Sequence, residues 1–345
     1  MSAGRTNISP AVSLQRNRDS PTRDRNLLKI AFKIAISAAL IGWLVYGIDG
    51  SALADGLSQV SFPALFLAFA ILLGLSAVQA CRWVFVARAM EVGLPFRTAW
   101  VIVLIGLFFN QTLPSSIGGD AARVWRLRRA GVPVGLSIRT VLLDRLVALL
   151  ALLVIATAGL PALMGWIGDQ PLRWAVPILL FAGFSGFAAL LLIDTPVLRK
   201  VVRMLRTDEI VALGRSAHQV FLNPRCLLST LAISLFIHAT VCVSITVIGL
   251  DIGADITFWQ MLVLFPPVLL LSMVPFSVAG WGIREGAMIT ALGFIGVPPA
   301  IAFSISILFG IVILAVGLTG GVVWLASGGQ RPKADTTIDQ PPTFP

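Results

Sequence analysis

Apolar runs of the length that hydrocarbon demands dominate this chain. Stretches near residues 27–48, 62–81, 140–164, 174–193, 226–249 and 297–325 approach or exceed the roughly 20 residues a helix needs to cross a bilayer. No water is available in that medium, so every backbone N–H and C=O must be satisfied within the protein. The runs are continuous rather than alternating, which selects helices over a membrane barrel. Composition agrees: 57% of the 345 residues are hydrophobic and only 12% are charged, against about a quarter charged in soluble domains. The fold class is all-α, a polytopic helical membrane protein.

The formal net charge of +10 points to cytoplasmic flanks and anionic lipid rather than nucleic acid, because basic residues in such a chain gather on the cytoplasmic side. Cys81, Cys226 and Cys242 form no CxxC and read as small buried hydrophobes, and His218 and His238 make no metal-ligand pattern with them. Nucleotide-binding, nucleophile-elbow and zinc-protease motifs are absent. We therefore expect no cofactor, no metal and no enzymatic activity.

Residues 1–26 are polar and basic and read as a disordered cytoplasmic tail; 326–345 read as a second one. The run 27–48 is too long for a signal peptide and reads as a retained anchor. Residues 194–225, with Arg199, Lys200, Arg203, Arg206, Arg215 and Arg225, read as a cytoplasmic loop carrying an amphipathic helix on the membrane surface.

Two further runs end in broken sequence. One, about 98–113, leads into "LPSSIGGDAARVWRLRR"; the other, about 258–275, leads into "VPFSVAGWGIRE". If the first crossed the membrane, Arg123, Arg126, Arg128 and Arg129 would lie outside. Turning back at Pro114 keeps them inside and satisfies the positive-inside rule. The second run then enters from outside and turns back at Pro275. The count is six full spans and two re-entrant hairpins, eight membrane segments, with both termini cytoplasmic.

The two breaks also resemble each other. Pro114 aligns with Pro275, Ser116 with Ser277, Gly119 with Gly280 and Arg123 with Arg284; "AGVPVG" from Ala130 then aligns with "IGVPPA" from Ile295. The reading is a single transmembrane domain over 27–325, made of repeat A (27–164) and repeat B (174–325) in inverted orientation. Transporters of that construction bind substrate at discontinuous helices near the midplane.

Candidate site residues follow. A helix starting at Gly118 or Gly119 points free N–H groups into the membrane, which attracts anions, and Arg123 and Arg126 follow within two turns. Asp120 and Arg123 are spaced to pair. Asp144 and Arg145 are ionisable residues inside a span, where charge is costly and faces an interior or cavity; as neighbours they point about 100° apart and should not bridge each other. Arg284 and Glu285 open the second return helix, with Glu285 favoured by the helix dipole. Asn110 is placed to cap backbone or touch a headgroup. Arg82 beside Trp83 reads as an interfacial anchor, Arg128 and Arg129 as headgroup-level anchors, and His238 as a satisfied core histidine.

With "N..LP..IGGD..R", "LDR" in a following helix and "VPFSVAGWGIREG" before the last span, the chain resembles the lysylphosphatidylglycerol synthase transmembrane, flippase-like family. The resemblance covers about residues 27–325. It implies Asn110, Pro114, Gly118, Gly119, Asp120, Arg123, Asp144, Arg145, Gly280, Gly282, Arg284 and Glu285 as characteristic positions. Asp144 stands where the family commonly has glutamate. The resemblance further implies a lipid flippase or transporter-like protein of the bacterial inner membrane, handling an amphiphile with an anionic or phosphate headgroup. The alternatives are a membrane-embedded transferase acting on a polyprenyl-phosphate or lipid, and a non-catalytic partner of a lipid, hopanoid or glycan synthesis enzyme.

Overall fold

A computed structural model describes residues 58–112, 118–193, 208–273 and 281–327, with isolated positions 42, 46, 56 and 195 besides. The described residues form ten α-helices: α1 Phe62–Ala89, α2 Phe96–Thr112, α3 Gly118–Arg129, α4 Val134–Ile167, α5 Ala175–Leu192, α6 Asp208–Phe221, α7 Pro224–Asp251, α8 Phe258–Ser272, α9 Ile283–Gly293 and α10 Pro299–Ala326. A 3-10 turn, Pro171–Trp174, joins α4 to α5. Five of the helices, α1, α4, α5, α7 and α10, are long and apolar enough to cross a membrane, and the protein is a multi-pass membrane protein. The tails at 1–26 and 328–345, the first expected span and the tips of both expected hairpins, with Pro114, Pro275 and Gly280, lie outside the described residues.

Local chemistry sets the helix ends. Ser61 caps α1 by accepting from the Ala64 N–H, and Pro63 sits in the first turn, where a missing N–H costs nothing. Asn223 and Pro224 do the same for α7. Thr257 and Gln260 close a reciprocal capping box at the start of α8.

The core lies in two main clusters at opposite ends of the bundle. One gathers the end of α1 (Trp83, Val86), the start of α2 (Ala99, Ile102), the end of α3 (Leu127), the start of α4 (Val141, Val147), α6 and the start of α7. The other gathers the start of α1 (Ala68, Leu72), the end of α4 (Leu163, Ile167), the end of α7, both α8 and α9, and the first half of α10. Thus α2 leaves, and α3 returns to, one end of the bundle, whereas α8 and α9 begin and end at the other. The amphipathic α6 packs Ala217, Val220 and Phe221 into the first cluster.

Packing is reciprocal. Helix α2 lies along α10, and α8 lies along α4; α1 and α7 lie along each other. The α2–α10 contact is close because Gly320 lets α10 approach the Leu104 carbonyl, where any Cβ would overlap backbone. The turns after α3 and α9 are alike in detail. Gly131 has φ 97° and Gly296 φ 83°, a region open to glycine. The Val132 N–H donates to the Leu127 carbonyl at 3.3 Å and that of Val297 to Leu292 at 3.2 Å. Pro133 (φ −54°, ψ 144°) and Pro298 (φ −58°, ψ 143°) then open α4 and α10.

Candidate functional site

The charged residues of the first broken segment converge on α4. Asp144 lies ten residues into α4, about 15 Å along its axis at 1.5 Å per residue. Its carboxylate accepts from Arg82 Nε at 2.9 Å through one oxygen and from Arg123 at 2.9 Å through the other. All three side chains are deeply buried, 5%, 6% and 1% exposed for Arg82, Arg123 and Asp144. Arg82 also donates to Ser234 of α7 at 3.2 Å. Four helices, α1, α3, α4 and α7, are thereby tied at one carboxylate.

Arg145 turns away from Asp144 and grips Asp120 with two nitrogens, Nε and a terminal one, at 2.9 and 2.8 Å. This pair is the open end of the network, with side chains 39% and 25% exposed. Arg123 approaches Asp120 at 3.8 Å, a weaker contact than its bond to Asp144. Three guanidiniums against two carboxylates leave one positive charge in excess. In a low-dielectric interior such a cluster persists only because nearly every charge is met.

Arg123 also lies over the Trp83 ring, 4.1 Å from guanidinium carbon to centroid, a cation–π contact. Its Nε and the Trp83 indole N–H find no acceptor among the described residues. Asn110 accepts from the Gly119 N–H at 3.0 Å and so caps the first turn of α3. A Cβ at Gly119 would overlap the Gly106 carbonyl and the Asn110 side chain; glycine is what allows α2 and α3 to meet there. Arg126 reaches across to Ser327 at the end of α10, 3.0 Å. Arg128 is exposed, and Arg129, also exposed, stacks on Trp125.

The second broken segment resolves its charge differently. Glu285 accepts from the Gly282 N–H at 2.5 Å, capping α9. Its other oxygen accepts from Arg284 at 2.5 and 3.1 Å and from the Ser306 hydroxyl at 3.2 Å. Arg284 also donates to the Ser306 carbonyl of α10 and lies over the Trp281 and Phe309 rings. Neighbouring residues therefore do bridge here, although Asp144 and Arg145 do not: at the first turn of α9 both side chains can bend towards Ser306. The step of 165 residues that relates Gly131 to Gly296 also relates Asp144 to Phe309. Each hairpin arginine faces that position, a carboxylate in one half and an aromatic ring in the other.

One sequence expectation needs correcting. Arg82 is not an interfacial anchor: α1 runs on to Ala89, so Arg82 lies inside the helix and inside the bundle. The continuing apolar pattern of "RWVFVARA" was the signal for this. Ser234, Ser306, Trp281 and Ser327 carry no sequence signal of their own; they are found only by proximity. His238 bonds the Ala148 carbonyl at 3.0 Å, one turn along α7 from Ser234. Among the described residues no group of His, Cys, Asp or Glu could hold a metal ion.

A family model described as the lysylphosphatidylglycerol synthase TM region matches residues 30–321. A UPF0104 membrane protein of Methanocaldococcus jannaschii is 32% identical over 83 residues, 24% of this chain and 25% of that protein. The aligned part is thus about a quarter of the relative's length. With a match across most of its length and apolar helices throughout, the chain belongs to the lysylphosphatidylglycerol synthase transmembrane-region family.

Proposed function

We propose that this protein translocates a membrane lipid bearing an anionic or phosphate headgroup, by rocking two inverted repeats against each other. The observation that carries the reading is the arginine-rich network at the first hairpin, with one positive charge in excess and one end open at Arg145 and Asp120. A headgroup arriving there meets the Arg145 guanidinium, in competition with Asp120, while Arg123, held by Asp144, positions the hairpin. The reciprocal packing of α2 on α10 and α8 on α4, and the matched turns at Gly131 and Gly296, support repeats of opposite orientation, with hairpins opening to opposite sides. In this reading six full spans and two hairpins make the domain, both termini face the cytoplasm, and the membrane is the bacterial inner membrane. A neighbouring lipid- or glycan-synthesis enzyme is the natural supplier of such a lipid.

A transferase draws less support. Asp120, Asp144 and Glu285 are each engaged by arginine, so none is free to act as a base, and we propose that the chain is not an enzyme. The test is reconstitution in liposomes with fluorescent phosphatidylglycerol, following its exposure to an impermeant quencher. Arg145→Ala should cut the rate per folded molecule at least several-fold, and Arg128→Ala should leave it unchanged. Equal rates with and without protein would overturn the proposal; release of a transferred group in the presence of a donor would establish the rival.

A further inference from the structure

A cleft of about 380 Å³ lies well away from the Asp144 network, between α4 and α5 on one wall and α8 and α9 on the other. Leu163, Val176, Leu179 and Val268 form its walls, and Gly286 and Ala287 its floor. Thr290 brings the only hydroxyl, and it is spent on the Gly286 carbonyl at 2.9 Å. A lining with no charged side chain and no free side-chain donor recognises neither a headgroup nor an ion; it selects hydrocarbon.

We propose that this cleft binds one hydrocarbon chain, acyl or isoprenoid, of the lipid that the protein handles. The inference rests on the lipid-translocation reading and names where the chain of that lipid goes. Three observations favour this occupant. The wall helix α5 presents Ile178, Phe181 and Leu192 outward, so the cleft opens to the medium in which lipid chains are the solvent. Small residues line the cleft at Gly286 and Ala287 of α9 and at its N-cap, Gly282, and leave room beside the helix. At one end of the cleft, immediately before Ala175, Arg173 pairs with Asp169 and lies near Trp174, which is 62% exposed. An exposed tryptophan beside a paired arginine marks the headgroup level, so a lipid anchored there drops its chain between α5 and α9. Gly56 lies against Ser304 of α10, which does not line the cleft.

A chain lying there wedges the second hairpin away from α4 and α5. The first hairpin, by contrast, is tied to α4 and α10 by Arg123–Asp144, Arg145–Asp120 and Arg126–Ser327. Chain entry and exit therefore act on the hairpin that, among the described residues, makes no ion pair to α4 or α5.

The test uses the full-length protein in vesicles containing phosphatidylglycerol with a diazirine midway along one acyl chain. After illumination, label should concentrate several-fold on the peptides spanning 175–179 and 282–294 relative to the outward-facing Leu318 and Val322 of α10. Ala287→Phe, which fills the floor, should abolish that excess, and the milder Ala287→Leu should halve it or better. Labelling that follows exposure alone, with α10 equal to α9, would overturn the proposal in the wild-type protein without any variant. Labelling that appears only on diluting the protein into excess lipid would also overturn it, assigning the cleft to a second copy of the chain. Label in the cleft without transport in liposomes removes translocation and keeps the chain site; transport without label in the cleft does the reverse.

Discussion

Arg123 and Asp144 lie 2.9 Å apart, both nearly sealed from solvent, and their bond joins the return arm of the first hairpin to α4. Because Asp144 is shared with Arg82, removing Asp144 strands two buried guanidiniums, whereas removing Arg123 leaves one buried Asp144 oxygen without its donor. Breaking a buried pair from one side costs about 3–5 kcal/mol, whereas replacing the whole group with apolar residues is often tolerated.

Arg123→Ala should therefore lower stability in detergent by about 3–5 kcal/mol, with Arg123→Lys intermediate, since lysine keeps the charge and loses the planar fork. Asp144→Ala alone should cost a similar amount, and the double variant less than the sum. Thermal unfolding of the four proteins measures this; strictly additive losses would show that the two residues do not act as a pair.

The exposed end of the network should behave in the opposite way. Arg145→Ala removes a half-exposed pair with Asp120, so its effect on stability should stay within about 1 kcal/mol. Its effect should fall on transport per folded molecule. A large loss of folded yield with normal specific transport would make Arg145 a structural residue and move the headgroup contact elsewhere.

Glu285 both caps α9 and neutralises Arg284. Glu285→Gln should keep the cap geometry but leave Arg284 without a countercharge. We expect a drop in stability larger than the roughly 1 kcal/mol of a lost cap and partial recovery in the double variant with Arg284→Met. Melting temperatures of the two variants against the wild type decide it; Glu285→Gln melting with the wild type would show that Ser306 alone suffices for Arg284.

Accessibility separates the two hairpins. Cysteines placed at Arg128 and at Trp259, in a background without native cysteines, should label from opposite sides of the membrane with an impermeant maleimide: Arg128 from the cytoplasm and Trp259 from outside. Labelling of both from one side would refute the inverted arrangement.

The helices were legible because membrane helices are written in long apolar runs, and backbone satisfaction in lipid leaves little else for them to form. Runs expected at 226–249 and 297–325 appear as Pro224–Asp251 and Pro299–Ala326, the first two residues longer at each end and the second displaced by one or two residues. The run 62–81 is the exception, because the helix continues through the charged Arg82 to Ala89. Arg82 continues the helix since Asp144, 62 residues away, compensates its charge.

The sequence by itself determined that this chain is an all-helical membrane protein and that Asp144 and Arg145 lie within a long apolar helix. Hydropathy and backbone geometry are local properties, readable one segment at a time. Only the tertiary structure decided who neutralises whom: Arg123 and Arg82 on one carboxylate, Arg145 on Asp120 rather than on its neighbour, Arg284 on its own neighbour by way of Ser306. Pairing energies fall off within a few ångströms and depend on which helix faces approach, and that approach is set by glycine contacts between helices far apart in the chain.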